Sequence, residues 1–170
     1  MSRSMAPTAP GRTRLRSGCG STASSAGWAT SLEAEVRAAD VVVTVTPSTV
    51  PLVERAWLRP GAHVSAMGAD TRGKQEHEVA TLPAARVIVD DWPQARSLGE
   101  CQHAVAAGLF ADRPPATIGE VIAGTAGGRM SADEITLFDA TGIALQDLAV
   151  AALAERLATE AGVGLRVELD

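Results

Sequence analysis

An aspartate and the only lysine of the chain lie four residues apart, directly after a short apolar stretch. Asp70 follows Met67, Gly68 and Ala69, and Lys74 comes next in the same loop. A carboxylate in a partly dehydrated cleft can exchange protons with a substrate, and a nearby ammonium group can hold an anion or lower the carboxyl pKa. Glycine and alanine before the aspartate would let a ligand approach the backbone closely. The alternative is a turn aspartate beside a solvated lysine, and spacing alone favours that alternative.

Hydroxyl side chains at the end of an apolar run form a second candidate. Thr44, Thr46 and Ser48 lie in and after the run VVVTVT (41–46). Their hydroxyl groups could form hydrogen bonds with a ribose or an amide. Threonine is also simply a favourable strand residue, so the residues alone leave both interpretations open.

The other acids suggest structural roles. We expect Asp90 and Asp91 to cap the helix that follows them. Glu100 and His103 would lie on one helical face as a surface pair. Asp147 lies inside an otherwise apolar helix and needs a partner or solvent.

Apolar periodicity and turn residues predict an α/β chain in which helices and strands alternate. Helices are expected over 32–39, 79–84, 95–107 and 143–160, with a helical turn over 52–58. Strands are expected over 41–46, 63–67, 86–91 and 134–138, with a short last strand over 165–169. A loop is expected over 71–76. The run 41–46 shows no alternation with charged residues, which predicts a parallel strand covered on both faces. The candidate residues follow strands, and ligands bind at that end of an open α/β sheet.

The composition fits a folded domain with an acidic balance. The chain has 170 residues, 46% hydrophobic, a net charge of −5 and a pI near 5.2. This balance argues against a nucleic-acid partner and against a polybasic membrane anchor. No apolar run approaches the roughly 20 residues that span a bilayer. Cys19, Cys101 and the three histidines are not spaced as metal ligands, so we expect no metal, no disulfide framework and a cytoplasmic location.

Residues 1–28 do not have the pattern of a folded segment. They contain four arginines and no acid, and Ser, Thr, Gly, Ala and Pro make up most of the stretch. Three interpretations remain open: a transit peptide, a disordered tail, or translation in a shifted frame or from a wrong start.

Six blocks of sequence follow one another in order and without large gaps. They are ADVVVTVTPS (39–48), WLRPGAHVSAMGADTRGKQE (57–76), ARVIVDD (85–91), GECQHA (99–104), IGEVIAG (118–124) and SADEITLFDATGIALQDLAVA (131–151). Together they resemble the ornithine cyclodeaminase/mu-crystallin family, from about Ser31 to about Gly162.

The resemblance implies an enzyme that oxidises or reduces the Cα–N bond of amino acids. Ornithine cyclodeaminases convert ornithine to proline and ammonia and regenerate NAD within the cycle. Relatives include alanine, opine-type and ketimine-reducing dehydrogenases. We therefore expect NAD (or NADP) as the cofactor, an amino acid or imine as the substrate, and a homodimer. The expected fold is the second half of a Rossmann-type parallel sheet, strands 4, 5 and 6 of the order 3-2-1-4-5-6 with later additions, followed by a long C-terminal helix.

The resemblance also assigns roles to single residues. Asp70 matches the catalytic aspartate, which shuttles the proton and contacts the substrate, and Thr141 would lie beside the substrate. Ala140 stands where the family often has a serine that contacts the cofactor. The implied cofactor-binding residues are Thr44, Met67, Gly68, Ala69, Lys74 and Ala140.

The family carries its glycine-rich turn and its substrate-binding arginine and lysine before the strand that begins here at Val41. Residues 1–28 match none of this, so we expect a truncated chain. We expect 1–28 to be irregular, 29–140 to form a partial dinucleotide-binding domain, and 141–170 to be a helix and tail that return to the substrate and dimerisation domain. Such a chain would expose the strand 41–46 as an apolar edge, bind NAD(H) poorly and show no turnover. Two alternatives are a non-catalytic, mu-crystallin-like ligand-binding protein, which Ala140 favours, and a non-functional remnant of a disrupted gene.

Overall fold

The computed structural model describes residue 27, residues 30–165 and residue 167. Most of the expected irregular segment 1–28 and of the expected strand 165–169 therefore lies outside the described residues. The helices are α1 Leu32–Ala38, α2 Thr81–Ala84, α3 Trp92–Leu98, α4 Cys101–Ala106, α5 Ile118–Ile122 and α6 Ala144–Ala161. The strands are β1 Val41–Thr44, β2 Thr49–Val53, β3 His63–Ala66, β4 Gln75–His77, β5 Arg86–Val89, β6 Ala116–Thr117 and β7 Thr136–Asp139.

A five-stranded parallel sheet forms the centre of the fold, with the order β1-β3-β7-β5-β6. Val64, Leu137 and Val89 on its inner strands are fully buried and belong to one hydrophobic cluster with residues of α2, α3 and α4. Helices therefore cover this sheet as they cover parallel sheets generally, and the predicted α/β class is confirmed. A separate pair, β2 and β4, is also parallel.

The position of β7 differs from the expected order. We expected the strands over 41–46, 63–67 and 86–91 to be neighbours, but β7 lies between β3 and β5 and pairs with both. Three of its four residues are buried, so it needs neighbours on both sides. The order of strands along the chain does not determine their order in space, because a connection can return a later strand to the middle of the sheet.

β1 lies at the edge of the sheet. It pairs with β3 on one side, and no described strand pairs with its other side. Val42 and Thr44 are buried, whereas Val41 and Val43 are exposed. The expectation of a strand covered on both faces is wrong for the described chain, and the expectation of an exposed apolar edge is confirmed.

Three local expectations are corrected. The predicted helical turn over 52–58 begins too early, because Leu52 and Val53 end β2, whose β-branched residues favour a strand, and only Arg55–Trp57 forms a 3-10 turn. The loop expected over 71–76 ends earlier, where β4 begins. The single helix expected over 95–107 is two helices, α3 and α4, which are separated at Gly99.

The two terminal helices follow their sequence signals. The Ser31 side chain caps α1 by accepting a hydrogen bond from Ala34 N at 3.3 Å. α6 extends over 18 residues and ends at Gly162, whose φ of 64° is left-handed. Every residue of α6 except Ala158 is exposed, so Asp147 faces solvent there. No helix in the described ranges is long and apolar enough to cross a membrane.

Candidate functional site

The carboxyl ends of three neighbouring strands bring the predicted site residues together. The register places Thr44, Ala66 and Asp139 side by side at the ends of β1, β3 and β7. Beyond these residues, Met67 N donates to Thr44 O at 2.8 Å and Ala140 N donates to Ala66 O at 3.0 Å. The segments 67–70 and 140–141 therefore lie on the same edge of the sheet as Thr44, as the sequence predicts.

Asp70 and Lys74 form an ion pair in the loop that follows β3. Lys74 Nζ and Thr71 Oγ1 both donate to Asp70 Oδ1, at 2.6 and 3.0 Å. The side chain of Asp70 is 53% exposed and that of Lys74 is 24% exposed. The hydrogen bonds from Lys74 and then Thr71 lower the pKa of Asp70 below its usual value. Both donors use Oδ1, so Oδ2 is the oxygen of Asp70 that no described side chain occupies.

Glu76 closes the loop that carries this pair. We call residues 68–76 the Asp70 loop. Glu76 is completely buried, and its carboxylate accepts hydrogen bonds from Thr46 N at 2.6 Å and from Gly68 N at 2.9 Å. One side chain thus joins the base of the Asp70 loop to the segment after β1.

Gly68 is required by this carboxylate. A Cβ at position 68 would lie 2.5 Å from Glu76 Oε1 and 2.5 Å from Thr46 O. Neither atom can move easily, because Thr46 O belongs to the backbone and Glu76 is held by its own hydrogen bonds. The sequence suggested that Gly68 makes room for a ligand, whereas in the structure it makes room for the Glu76 side chain.

Two further buried carboxylates continue this network. Glu100 accepts from Glu76 N at 2.6 Å and from His77 N at 3.3 Å. Asp139 in turn accepts from Glu100 N at 3.0 Å and Cys101 N at 2.9 Å, at the start of α4. The sequence suggested that Glu100 forms a surface pair with His103. That expectation is wrong, because Glu100 is buried and accepts hydrogen bonds from the backbone of β4.

Gly99 makes room for the side chain of Asp139, just as Gly68 makes room for that of Glu76. A Cβ at position 99 would lie 2.6 Å from both carboxylate oxygens of Asp139. A larger residue would push α4 away from β7. This explains why the predicted helix over 95–107 is interrupted here.

Burial dominates the titration of this network. Burial, with a smaller contribution from Asp139 and Glu76, raises the pKa of Glu100 to about 8. Burial also raises the pKa of Asp139 to about 6. Backbone N–H groups oppose both shifts because they stabilise the ionised carboxylates. The pKa of the Cys101 thiol is raised for the same reason, so this cysteine is an inert core residue.

The hydroxyl group of Thr44 is hydrogen-bonded to another side chain of the protein. Its Oγ1 lies 2.9 Å from His77 Nε2, and both residues are buried. Burial lowers the pKa of His77 to about 4, so the imidazole is neutral near pH 7. The hydroxyl of Thr44 is therefore already occupied and is not presented to a ligand.

Thr141 is fixed by the acid that follows β5. Asp90 accepts from Thr141 N at 2.7 Å and Thr141 Oγ1 at 2.9 Å, and it also accepts from Gly142 N. Asp91, not Asp90, caps α3 by accepting from Gln94 N. Half of the capping prediction is therefore wrong, since Asp90 holds the segment after β7. The methyl group of Ala140 is buried and offers no hydrogen bond.

Sequence reasoning missed Glu76, Glu100 and Asp139. Only Asp139 carried a local signal, because it ends the apolar strand TLFD at the ligand side of the sheet. The burial of Glu76 and Glu100 depends on two connections that bring distant segments together, and neither residue lies in a distinctive pattern.

The strand-end edge fits one wall of a dinucleotide crevice. Met67 is 42% exposed and presents a flexible apolar surface beside the Asp70 pair. A diphosphate group is usually held by a glycine-rich turn between a strand and a helix, and the described ranges contain no such turn. The described residues therefore supply the strand ends around Asp70 but no turn of that kind.

Comparison with known proteins identifies the relatives of the chain. The family model "Ornithine cyclodeaminase/mu-crystallin family" matches residues 20–160. The chain belongs to this family. The match begins at residue 20, before the Ser31 at which the sequence blocks place the start of similarity.

Solved structures of family members have the same fold over the matched region. An archaeal alanine dehydrogenase dimer with bound NAD is 47% identical with a TM-score of 0.71, and the match covers 77% of this chain and 41% of that one. The iminosuccinate reductase of Paracoccus denitrificans in complex with NAD⁺ is 45% identical with a TM-score of 0.72, covering 77% and 40%. A probable ornithine cyclodeaminase from Bordetella pertussis Tohama I is 33% identical with a TM-score of 0.68, covering 80% and 45%.

These comparisons confirm the predicted family, the Rossmann-like fold and NAD as a cofactor used in the family. The chain spans about two fifths of the length of the curated relatives it matches. Its relatives are NAD-dependent amino-acid dehydrogenases, imine reductases and cyclodeaminases.

Proposed function

We propose that this chain forms the proton-handling half of an NAD(P)-dependent site that oxidises a small amino acid or reduces the corresponding imine. The observation that carries the proposal is the Asp70–Lys74 ion pair at the carboxyl end of β3. It lies on the same strand-end edge as Met67 and Thr141. A carboxylate there has one oxygen held by a cation and one oxygen available to a substrate.

The two half-reactions of such an oxidation separate cleanly. The Cα–H bond of the amino acid breaks with transfer of a hydride, and the substrate nitrogen releases a proton. NAD(P), when bound, accepts the hydride. Asp70 would accept the proton at Oδ2, because Oδ1 is already occupied by Lys74 and Thr71. In the reverse direction Asp70 would return that proton to the nitrogen as the imine is reduced.

Lys74 and desolvation would act on Asp70 in opposite directions. In the described chain the Lys74 ammonium group keeps Asp70 ionised by lowering its pKa. A bound substrate would exclude water from the exposed carboxylate, which would raise the pKa towards the range where a proton can be both accepted and released. Lys74 would thus prepare the base, and substrate binding would adjust it.

We favour a dehydrogenase or imine reductase over an ornithine cyclodeaminase. Identity is 46% to both the curated alanine dehydrogenase and the curated iminosuccinate reductase, against 44% to an uncharacterized cyclodeaminase of Sinorhizobium fredii and 33% to the probable ornithine cyclodeaminase. A homodimer is proposed by analogy with the archaeal alanine dehydrogenase dimer. The alternative, a mu-crystallin-like binding protein without hydride transfer, draws support from Ala140, whose methyl group replaces a hydroxyl that often contacts the cofactor in the family.

A fusion protein tests the proposal. Residues 31–170 would be joined to the part of the archaeal alanine dehydrogenase that precedes the matched region, so that a phosphate-binding turn is supplied. We expect NADH formation that depends on a small amino acid, and a loss of at least about 100-fold in kcat for Asp70→Asn. NADH binding with no turnover would favour the binding-protein alternative. Turnover that is unaffected by Asp70→Asn would refute the proton-transfer role of Asp70.

A further inference from the structure

The tip of the Asp70 loop is held from outside the loop by α4. Gly73 N donates to Gln102 Oε1 at 2.7 Å, and Gln102 Nε2 donates to Lys74 O at 3.3 Å and lies 3.5 Å from Thr71 O. His103 Nε2 also lies 2.9 Å from Lys74 O. The residues between Asp70 and Lys74 are therefore bound through their backbone to two consecutive side chains of one helix.

The side chain of Gln102 is itself fixed. Its Nε2 also lies 2.7 Å from Leu98 O and 3.0 Å from Gly99 O and shares its two hydrogens among these carbonyls and that of Lys74, so both ends of the amide are occupied. Gly99 is the C-cap residue of α3 and borders the first turn of α4. The amide group thus lies between the end of α3 and the Asp70 loop.

The helix that carries Gln102 is anchored on both sides of the site. Asp139, which immediately precedes Ala140 and Thr141, binds the N–H groups of Glu100 and Cys101. Glu100 in turn binds the backbone of Glu76 at the base of the Asp70 loop. α4 therefore connects the segment after β7 to the Asp70 loop through a continuous series of hydrogen bonds.

We propose that Gln102 is a positioning residue, which keeps the Lys74 ammonium group against Asp70 Oδ1 and so leaves Asp70 Oδ2 open to the substrate. The inference rests on the proposed role of Asp70 in proton transfer. Gln102 is suited to this task because an amide supplies both a donor and an acceptor. The Asp70 loop presents both kinds of group, the N–H of Gly73 and the carbonyl of Lys74, within reach of one side chain.

The Gln102→Met variant removes both hydrogen bonds and keeps the length of the side chain. Gln102 is partly exposed, so the variant should fold. Gln146→Met is the matched control, because Gln146 is an exposed helical glutamine with no side-chain hydrogen bond to any described residue. The purified chain without cofactor would be examined by NMR titration of the Asp70 carboxyl group and by hydrogen exchange of the amides of Gly73 and Lys74.

In Gln102→Met we expect the pKa of Asp70 to rise towards that of a free aspartate, since the Lys74 contact is no longer held. We expect the amides of Gly73 and Lys74 to exchange about ten-fold faster or more, while β7 amides keep their rates. The control should change neither quantity. An unchanged Asp70 pKa together with unchanged exchange at Gly73 in folded Gln102→Met would overturn the proposal.

A second variant keeps the test decisive if the first does not fold. Gln102→Glu retains an acceptor for Gly73 N but brings a carboxylate against the carbonyls of Lys74 and Leu98. We expect the Lys74 amide to exchange faster while the Gly73 amide stays protected, and the opposite pattern would also overturn the proposal. Neither experiment contains NAD or substrate, so a failure of the proposed enzymatic activity leaves these results interpretable on their own.

Discussion

The acids near the strand ends fall into two groups that differ in every physical respect. Glu76, Glu100 and Asp139 are buried, and each accepts two backbone hydrogen bonds. Asp70 is more than half exposed and is bonded to a lysine and a threonine side chain. Burial raises the pKa values of Glu100 and Asp139, whereas the ion pair lowers that of Asp70.

The contrast shows that a strongly shifted pKa does not by itself identify a catalytic group. Perturbed titration is often used to find active sites, because both catalysis and burial shift pKa values. Among the described carboxyl groups the upward shifts belong to Glu100 and Asp139, whose oxygens are already used by backbone N–H groups. The pKa of Asp70, the acid with an unoccupied oxygen at the strand-end edge, is shifted in the opposite direction. Available hydrogen-bonding capacity separates the two groups better than the size of the shift.

Among the variants that test this contrast, Asp139→Ala is expected to have the largest effect on the free energy of unfolding. The variant leaves Glu100 N and Cys101 N buried without an acceptor, and each such group costs about 1–3 kcal/mol. We expect the free energy of unfolding to fall by about 3 kcal/mol in urea titrations. Asp139→Asn, which keeps one acceptor oxygen, should lose less. A loss below about 1 kcal/mol for the alanine variant would mean that this carboxylate does not hold α4.

The second test is steric and concerns Gly68. A Cβ at this position would overlap the Glu76 carboxylate and approach Thr46 O, so Gly68→Ala should destabilise the chain by about 2 kcal/mol. Gly119→Ala is the control, because its Cβ would meet nothing closer than 3.9 Å within α5. The control should gain about 0.5–1 kcal/mol from helix propensity. Equal stability of the two variants would show that Glu76 moves aside freely.

The third test uses pH. The folded pKa of Glu100 is raised to about 8, so its contribution to stability is fully present below the unfolded value of 4.5 and is lost as pH rises through 8. The raised pKa of Asp139 has the same sign of effect, but its contribution to stability is lost by about pH 6. The lowered pKa of His77 has the opposite sign: its contribution is present above pH 6.5 and is lost as pH falls towards 4. The contribution of Glu100 is therefore best isolated between pH 6.5 and 8.

In that window we expect the free energy of unfolding to decrease by roughly 1 kcal/mol per pH unit. Glu100→Gln should flatten this slope, because the amide does not titrate. Denaturation in urea at several pH values measures both. A wild-type stability that stays level between pH 6.5 and 8 would contradict the assignment of a raised pKa to Glu100.

The smallest effect on stability is expected from Lys74→Met. The ion pair is largely solvated, and such pairs contribute less than about 1 kcal/mol. The pKa of Asp70, measured by NMR, should nevertheless rise, because the hydrogen bond from Lys74 is the main cause of its lowering. A clear loss of stability without a change in the Asp70 pKa would place Lys74 with the structural residues instead.

The sequence predicts the parts of this chain that depend on local signals. Apolar runs located β1, β3 and β5, the Ser31 cap located α1, and helical spacing located α6 within a residue at each end. The Asp70–Lys74 pair was also visible, since four residues of a tight loop keep two side chains close together. The position of β7 was not visible, because it depends on which strands a long connection brings together. The burial of Glu76 and Glu100 was missed for the same reason.

Gly68 lies against the carboxylate of Glu76, and Gly99 lies against that of Asp139. These two contacts should restrict which residues homologues can carry at the glycine positions. Each glycine is confined by a carboxylate of a later strand, Glu76 of β4 or Asp139 of β7, and for Gly99 that carboxylate supplies all the closest contacts of a Cβ within the described residues, so positions 99 and 139 should change together. A homologue that replaces the acid at 139 with a short apolar residue would release Gly99, and alanine could then appear there, whereas a Cβ at position 68 would still meet Thr46 O after the loss of Glu76. Across many homologues the second coupling should emerge as covarying columns that link the turn before α4 to β7, whereas position 68 should remain glycine whatever residue stands at 76.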